Sequence, residues 1–124
     1  MSLEQMVWIA LGSATGGVAR VWMGGLITTL VVSPFPWATL AINVLGSLLI
    51  GLGSVWIESS TVRFLGIAGF CGGFTTFSTF SMEAWLLLRK GAWSNACLYM
   101  AASVALCVAA VMAGAALGRL VRNW

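Results

Sequence analysis

The residues whose types and spacing could support chemistry lie between Gly69 and Ser81, where the sequence reads GFCGGFTTFSTFS. Phe77 and Phe80 are three positions apart, so both lean toward one helix face, and their ring edges carry partial positive charge that can line an anion path. Hydroxyl groups that could replace the hydration of an anion interleave with these rings, at Thr76, Ser78, Thr79 and Ser81. The alternative is a glycine-flexed packing helix whose hydroxyls bond back to their own backbone.

The composition of the whole chain is that of a membrane protein. Of its 124 residues, 60% are hydrophobic and only 7% are charged, whereas soluble domains carry about 25% charged residues. The net charge of +3 is scattered without a basic run, so nucleic acid is not an expected partner. Three cysteines without CxxC spacing and the lack of histidine argue against a disulfide framework or a transition-metal site.

The spacing of charged residues and prolines predicts four membrane helices. The uncharged runs are 5–19, 21–57, 64–82 and 91–118. A bilayer-spanning helix needs about 20 apolar residues, so the second run is too long for one helix and divides at Ser33–Pro36. We therefore predict an all-α membrane protein with a single domain, residues 1–124, in the bilayer, with spans at about 6–31, 37–57, 63–88 and 93–120. Tryptophans fall near the proposed ends, as interfacial tryptophans do: Trp8, Trp37, Trp56, Trp93 and Trp124.

The middle of the third span combines Gly72-Gly73 with Thr75-Thr76. Glycine pairs loosen a helix, and lipid tolerates freed backbone groups only where protein or a polar cavity satisfies them. We therefore expect the third helix to be broken near the midplane of the bilayer. Such a break presents carbonyl oxygens that can bind a cation and amide hydrogens that favour an anion.

Three polar residues at membrane depth are functional candidates, because such residues are costly in lipid. Arg20 is either an interfacial anchor or an attraction for an anion entering a vestibule. Asn43 is either an interhelical hydrogen-bonding residue or a ligand to a permeating solute. Glu83 lies in the third span beyond the proposed break, and an unpaired carboxylate there indicates a functional site.

The distribution of basic residues gives almost no orientation signal. With four spans, one side of the membrane would carry Arg63, Arg119 and Arg122, and the other Arg89 and Lys90. Lys/Arg bias orients short-loop membrane proteins. Either the weak bias still selects one orientation, or the chain inserts both ways and forms antiparallel dimers.

The run GFCGGFTTFSTFSME resembles the signature of the Fluc (CrcB-type) fluoride channels. The resemblance extends over essentially the whole chain and includes Gly-Gly-Val-Ala-Arg ending at Arg20 and the segment Thr39–Asn43. It implies an antiparallel, dual-topology homodimer with two pores in the cell membrane (inner or plasma). The implied function is passive, fluoride-selective export that protects against fluoride toxicity, with no reaction catalysed.

The resemblance also implies roles for single residues. Phe77 and Phe80 would line each pore, with Asn43 near the fluoride path and Arg20 in the vestibule. Backbone carbonyls of both subunits would hold a structural sodium ion at the dimer centre, from Gly72 and Thr75. A polar group formed by Thr39, Glu83 and Tyr99 would pass fluoride along. Tyr99 and Ser103, four positions apart on the fourth span, would continue this polar track. Two positions depart from the family pattern, namely Cys107, where a serine occurs, and Phe74, where a leucine is expected.

Two other classes of membrane protein are compatible with the length. A small multidrug-type proton-coupled exporter also has four spans, but it needs a carboxylate central in the first span, and Glu4 lies at the terminus. A non-transporting assembly subunit would explain helix faces rich in small residues, but neither the hydroxyl–phenylalanine run nor Glu83.

Overall fold

The computed structural model describes residues 1–122; Asn123 and the tryptophan predicted at the last interface, Trp124, lie outside the described residues. Residues 1–122 form helices and connections without a β-strand, which confirms the all-helical prediction for this part of the chain. Three long helices are α1 (Leu3–Leu30), α2 (Trp37–Trp56) and α6 (Trp93–Arg122). Shorter helical elements lie between α2 and α6: α3 (Ser60–Val62), a π-helix (Arg63–Cys71), α4 (Gly72–Phe74) and α5 (Phe77–Arg89).

Local sequence explains where the first two long helices begin and end. Ser2 and Gln5 form a capping box at the start of α1, in which each side chain accepts a hydrogen bond from the other residue's backbone N–H. Pro34 and Pro36 follow the end of α1, where a fixed φ and a missing N–H prevent the helix from continuing. By length and hydropathy, α2 and α6 can each cross a membrane.

Glycines allow the helix backbones to approach closely. A Cβ on Gly51 would meet the Val111 carbonyl, and one on Gly114 would meet the Leu48 carbonyl, so α2 and α6 pack through these two glycines. Gly12 and Gly16 of α1 lie in the same way against backbone atoms of the π-helix. Close packing through small residues replaces the hydrophobic driving force that lipid does not provide.

A compact core fixes the ends of the helices that carry the candidate residues. It consists of Leu40 from α2, Ala84 and Leu87 from α5, and Ala96 and Tyr99 from α6. Tyr99 is fully buried, with 0% of its surface exposed. The core therefore holds α2, α5 and α6 together around the Tyr99 ring.

Candidate functional site

The helical backbone is interrupted at Thr75 and Thr76. Both residues are extended, with φ/ψ of −79°/158° and −149°/116°, between the end of α4 and the start of α5. Gly72, in contrast, is helical, with φ −62° and ψ −39°. A Cβ on Gly73 would meet the backbone of Ser13 in α1. Gly73 is thus needed for close approach to α1, and the change of direction takes place in the threonines that follow.

Asn43 of α2 bridges the interruption. Its Oδ1 accepts a hydrogen bond from the Thr76 N–H at 2.8 Å, and its Nδ2 donates to the Thr76 carbonyl at 3.0 Å. Both polar groups of a residue that lacks helical partners are satisfied in this way, as buried backbone groups must be. An asparagine amide has two N–H donors, so one remains for another acceptor. Two roles were considered for Asn43, hydrogen bonding between helical segments and binding of a permeating solute. The hydrogen bonds observed correspond to the first role.

Arg20 also reaches the interruption. Its guanidinium Nη1 donates to the Thr75 carbonyl at 3.3 Å, and the side chain is half-buried between α1 and the residues after α4. A permanent positive charge therefore lies beside the point where α5 begins. The N-terminus of α5 adds partial positive charge of its own.

The hydroxyl residues after the interruption bond largely among themselves and to backbone. The Thr76 hydroxyl oxygen accepts from the Thr79 N–H at 3.1 Å and caps α5, while its O–H donates to Thr79 Oγ1 at 3.0 Å. Ser81 donates back to the Phe77 carbonyl at 2.9 Å. Ser78, Thr79 and Ser81 are exposed. The alternative interpretation of the hydroxyl–phenylalanine run was that its hydroxyls bond locally and do not serve an anion. Thr76, Thr79 and Ser81 form such local hydrogen bonds.

A cleft of about 300 Å³, here named the aromatic cleft, lies between α2, the interruption, α5 and α6. Its polar lining consists of Asn43, Ser47, Thr75, Thr76 and Ser103; its other lining residues are Phe77, Phe80, Cys107, Ile50, Val104 and Val108. The rings of Phe77 and Phe80 are 5.3 Å apart between centroids. The structure thus brings both phenylalanines, Asn43, Ser103 and Cys107 to one cleft, whereas Thr79 and Ser81 are not among its lining residues.

The hydroxyl of Ser103 has no protein partner. Its Oγ is buried, and within residues 1–122 no hydrogen-bond partner lies in reach. The residue is 7% exposed and lines the aromatic cleft. A buried unpaired hydroxyl costs free energy, so a water molecule or an anion in the cleft would supply the missing interaction.

Glu83 accepts two hydrogen bonds from neighbouring helices. Thr39 of α2 donates to Glu83 Oε1 at 2.9 Å, and the Tyr99 hydroxyl of α6 donates to Oε2 at 2.7 Å. The Tyr99 ring lies 5.2 Å from the Phe80 ring between centroids. Thr39, Glu83 and Tyr99 therefore form a connected group, and Phe80 joins this group to the aromatic cleft.

Glu83 lines a second cleft, of about 260 Å³, here named the loop cleft. The segment that connects α1 to α2 and the last turns of α5 line it. Its charged lining residues are Glu83 and Lys90. Lys90 was not predicted as a site residue. The signal present in the sequence is its position at i+7 from Glu83, which places both residues on the same helix face.

The two positions expected to hold sodium differ in their surroundings. The Thr76 N–H, the helical partner that the Gly72 carbonyl would otherwise have, bonds to Asn43 instead, so the Gly72 carbonyl is freed from the helix. The Thr75 carbonyl already accepts from Arg20. Free carbonyl oxygens at a helix interruption suit a sodium ion. Gly72 therefore fits the expected ion, and Thr75 fits it only if Arg20 moves or shares the oxygen.

Known proteins resemble this chain over most of its length. The family described as CrcB-like protein, Camphor Resistance (CrcB), matches residues 7–115. A protein of Hahella chejuensis named fluoride-specific ion channel FluC is 41% identical over 126 residues, covering 98% of this chain and 99% of that protein. Proteins of the same name from Paramagnetospirillum magneticum and Rhizobium johnstonii are 46% and 44% identical, covering 86% and 93% of this chain and 88% and 96% of their own lengths.

Proposed function

The chain belongs to the CrcB-like family, and we propose that it is a fluoride-selective ion channel through which fluoride leaves the cell passively. It is a multi-pass protein of the cell membrane, and its function involves no catalysed reaction. Curated relatives that span nearly the whole chain carry the name of fluoride-specific ion channel. Export down the gradient would protect the cell against fluoride toxicity.

The observation that carries this proposal is the aromatic cleft with its unpaired hydroxyl. Fluoride is a small anion that accepts strong hydrogen bonds, and Ser103 presents a buried hydroxyl without a partner. Asn43 has one N–H donor left after its bond to Thr76. The positive edges of Phe77 and Phe80 border the same space and can favour an anion without binding it tightly. A narrow path that replaces hydration in this way excludes larger halides.

Arg20 and the polar group complete the proposed path. Arg20 would draw the anion toward the interruption, beside the Thr75 carbonyl that it contacts. From the cleft, fluoride would pass Phe80 and reach Glu83, whose two hydrogen-bond donors, Thr39 and Tyr99, could turn to the anion instead. Thr79 and Ser81 would assist at the start of α5 only after releasing the bonds that they make now.

We propose a four-span bundle that pairs with an antiparallel copy to form two pores. Phe77 supports this arrangement, because it lines the aromatic cleft and yet is 79% exposed in the single protomer. A second copy would cover this ring. The nearly balanced basic residues, three against two, support insertion in both orientations.

A structural sodium ion at the dimer centre is part of the proposal. The freed Gly72 carbonyl and the Thr75 carbonyl would hold it, each from both subunits, and the ion would neutralise their partial negative charge at the interface. We expect removal of sodium to weaken the dimer, which size-exclusion chromatography in detergent can detect independently of flux. An unchanged dimer in sodium-free buffer would contradict the sodium site.

The test of the function is a flux assay with purified protein in liposomes. Wild-type protein should discharge a fluoride gradient and leave a chloride gradient largely intact, without the dependence on a proton gradient that an exporter would show. Phe80→Ile should strongly reduce fluoride flux with dimer assembly unchanged. Well-folded protein without fluoride flux would refute the channel. The exporter alternative gains no support, since Glu4 lies exposed in the first turn of α1 and accepts a hydrogen bond from Trp8.

A further inference from the structure

Lys90 gives one end of the loop cleft a positive charge. This end suits an anion better than a lipid chain. Polar or charged lining residues there are Thr28, Ser33, Glu83 and Lys90. Lys90 follows the last residue of α5, two turns beyond Glu83, which corresponds to about 10 Å along the helix axis. The Glu83 carboxylate, which accepts hydrogen bonds from Thr39 and Tyr99, and the Lys90 ammonium group thus line the same cleft.

Lys90 forms no ion pair with the residues that the structure describes. In the part of the chain that the structure describes, the one ion pair joins Arg122 to Glu58 at 2.7 Å. The chain contains three acidic residues: Glu4 bonds to Trp8, Glu58 pairs with Arg122, and Glu83 bonds to Thr39 and Tyr99. Within residues 1–122, the Lys90 ammonium group is therefore not held in an ion pair at the cleft.

The adjacent Arg89 is arranged differently. Its guanidinium lies 4.8 Å from the centre of the Trp85 ring, in a cation–π contact, and Arg89 is not among the residues that line the loop cleft. Two cations one position apart thus have different surroundings, and only Lys90 lines the cleft.

The loop cleft is continuous with the proposed fluoride path through side chains in contact. Phe80 lines the aromatic cleft and packs on Tyr99. Tyr99 bonds to Glu83, and Glu83 lines the loop cleft. A sequence of neighbouring polar and aromatic groups therefore runs from one cleft to the other within a single protomer.

We propose that the loop cleft is the second mouth of the anion path and that Lys90 attracts the anion at this mouth. The inference rests on the proposed function, in which Arg20 serves the opposite end of the path. A cation in a cleft with apolar walls raises the local concentration of an anion more than a cation on an open surface, because the walls focus its field. Lys90 would then speed the entry and exit of fluoride without forming part of the narrow segment.

The experiment compares fluoride efflux from liposomes that contain wild type, Lys90→Gln, Lys90→Arg and the matched control Arg89→Gln. At low ionic strength, set with an impermeant salt, Lys90→Gln should lower efflux about threefold, a modest share of the tenfold or greater effects that steering can have. Lys90→Arg, which keeps the charge, should retain the wild-type rate, and Arg89→Gln should stay close to it. The difference between Lys90→Gln and wild type should shrink as the screening length falls from about 30 Å at 0.01 M salt to about 3 Å at 1 M.

Equal effects of Lys90→Gln and Arg89→Gln would overturn the inference, because they would reflect only the general charge of that protein surface. A deficit in Lys90→Gln that persists at high salt would also overturn it, since the role would then not be electrostatic. In both cases, fluoride flux through the wild-type protein would still support the proposed function. Absence of fluoride flux in wild type would instead refute the proposed function itself.

Discussion

Replacement of Asn43 with alanine tests how the interruption between α4 and α5 is held. The substitution removes both hydrogen bonds to Thr76, at 2.8 and 3.0 Å, and Thr76 is buried, with 7% exposed. A buried polar group left without a partner costs about 1–3 kcal/mol, so two such groups should lower the free energy of unfolding by about 2–6 kcal/mol. Water entering the space left by the side chain would bring the loss toward the lower value.

The measurement is denaturant unfolding in detergent micelles, followed through the seven tryptophans. The matched control is Ser47→Ala, one turn along α2 at the same cleft, where within residues 1–122 the side chain forms no hydrogen bond to be lost. That control should change the free energy of unfolding by less than about 1 kcal/mol. If both variants were equally stable, the bridging role of Asn43 would be wrong.

Three further predictions concern the polar group, helix packing and the thiol in the cleft. Glu83→Gln replaces one carboxylate oxygen with an NH₂ group, which must then face the hydroxyl of Thr39 or Tyr99. Because a hydrogen bond to a charged group is worth about 1.5–3 kcal/mol, fluoride flux in liposomes should fall about tenfold or more. An unchanged flux would contradict a role of Glu83 in the fluoride path. Gly114→Ala should destabilise the protein by about 1–3 kcal/mol through overpacking against α2, whereas Gly25→Ala, which meets no atom within 4 Å, should not; equal melting temperatures would refute the packing argument. Methylthiolation of Cys107 should reduce fluoride flux by filling the aromatic cleft, and Cys107→Ser should remove this sensitivity; retained sensitivity would place the reactive thiol elsewhere.

The sequence alone predicted features that depend on local chain chemistry. Pro34 and Pro36 disfavour a continuous helix through their own backbone chemistry, and the division at Ser33–Pro36 lies between α1 and α2. Composition likewise predicted an all-helical chain, because apolar content at membrane level leaves few other ways to satisfy the backbone.

Features that depend on packing between helices were harder to predict. Thr39, Glu83 and Tyr99 come from three helices, and no spacing in the sequence indicates that one carboxylate accepts from both hydroxyls; the grouping came from resemblance to a family. The glycine pair indicated an interruption for a partly incorrect reason. Gly73 accommodates α1. Thr75 and Thr76 make the turn, and Asn43 hydrogen-bonds both backbone polar groups of Thr76.

The loop cleft was missed because connections between helices have no periodic pattern. In the sequence, Lys90 was considered only as one of five basic residues that bear on membrane orientation. Lys90 lies two turns from Glu83 along α5, and both residues line one cleft because the α1–α2 connection crosses the end of this helix. A connection of this kind depends on tertiary packing.

The pairing of α2 with α6 has a consequence for how the protein is made. Gly51 lies against Val111 and Gly114 against Leu48, so α2 meets its main neighbour only after most of the chain has left the ribosome. At synthesis rates of about 5–20 residues per second, the roughly 60 residues from Gly51 to Val111 take about 3–12 s to follow. The bridge from Asn43 to Thr76 can form well before then, while Ser103 arrives with α6. On the proposed function, a chain stalled before α6 would contain Asn43 and Thr76 but lack Ser103, and we expect it not to conduct fluoride.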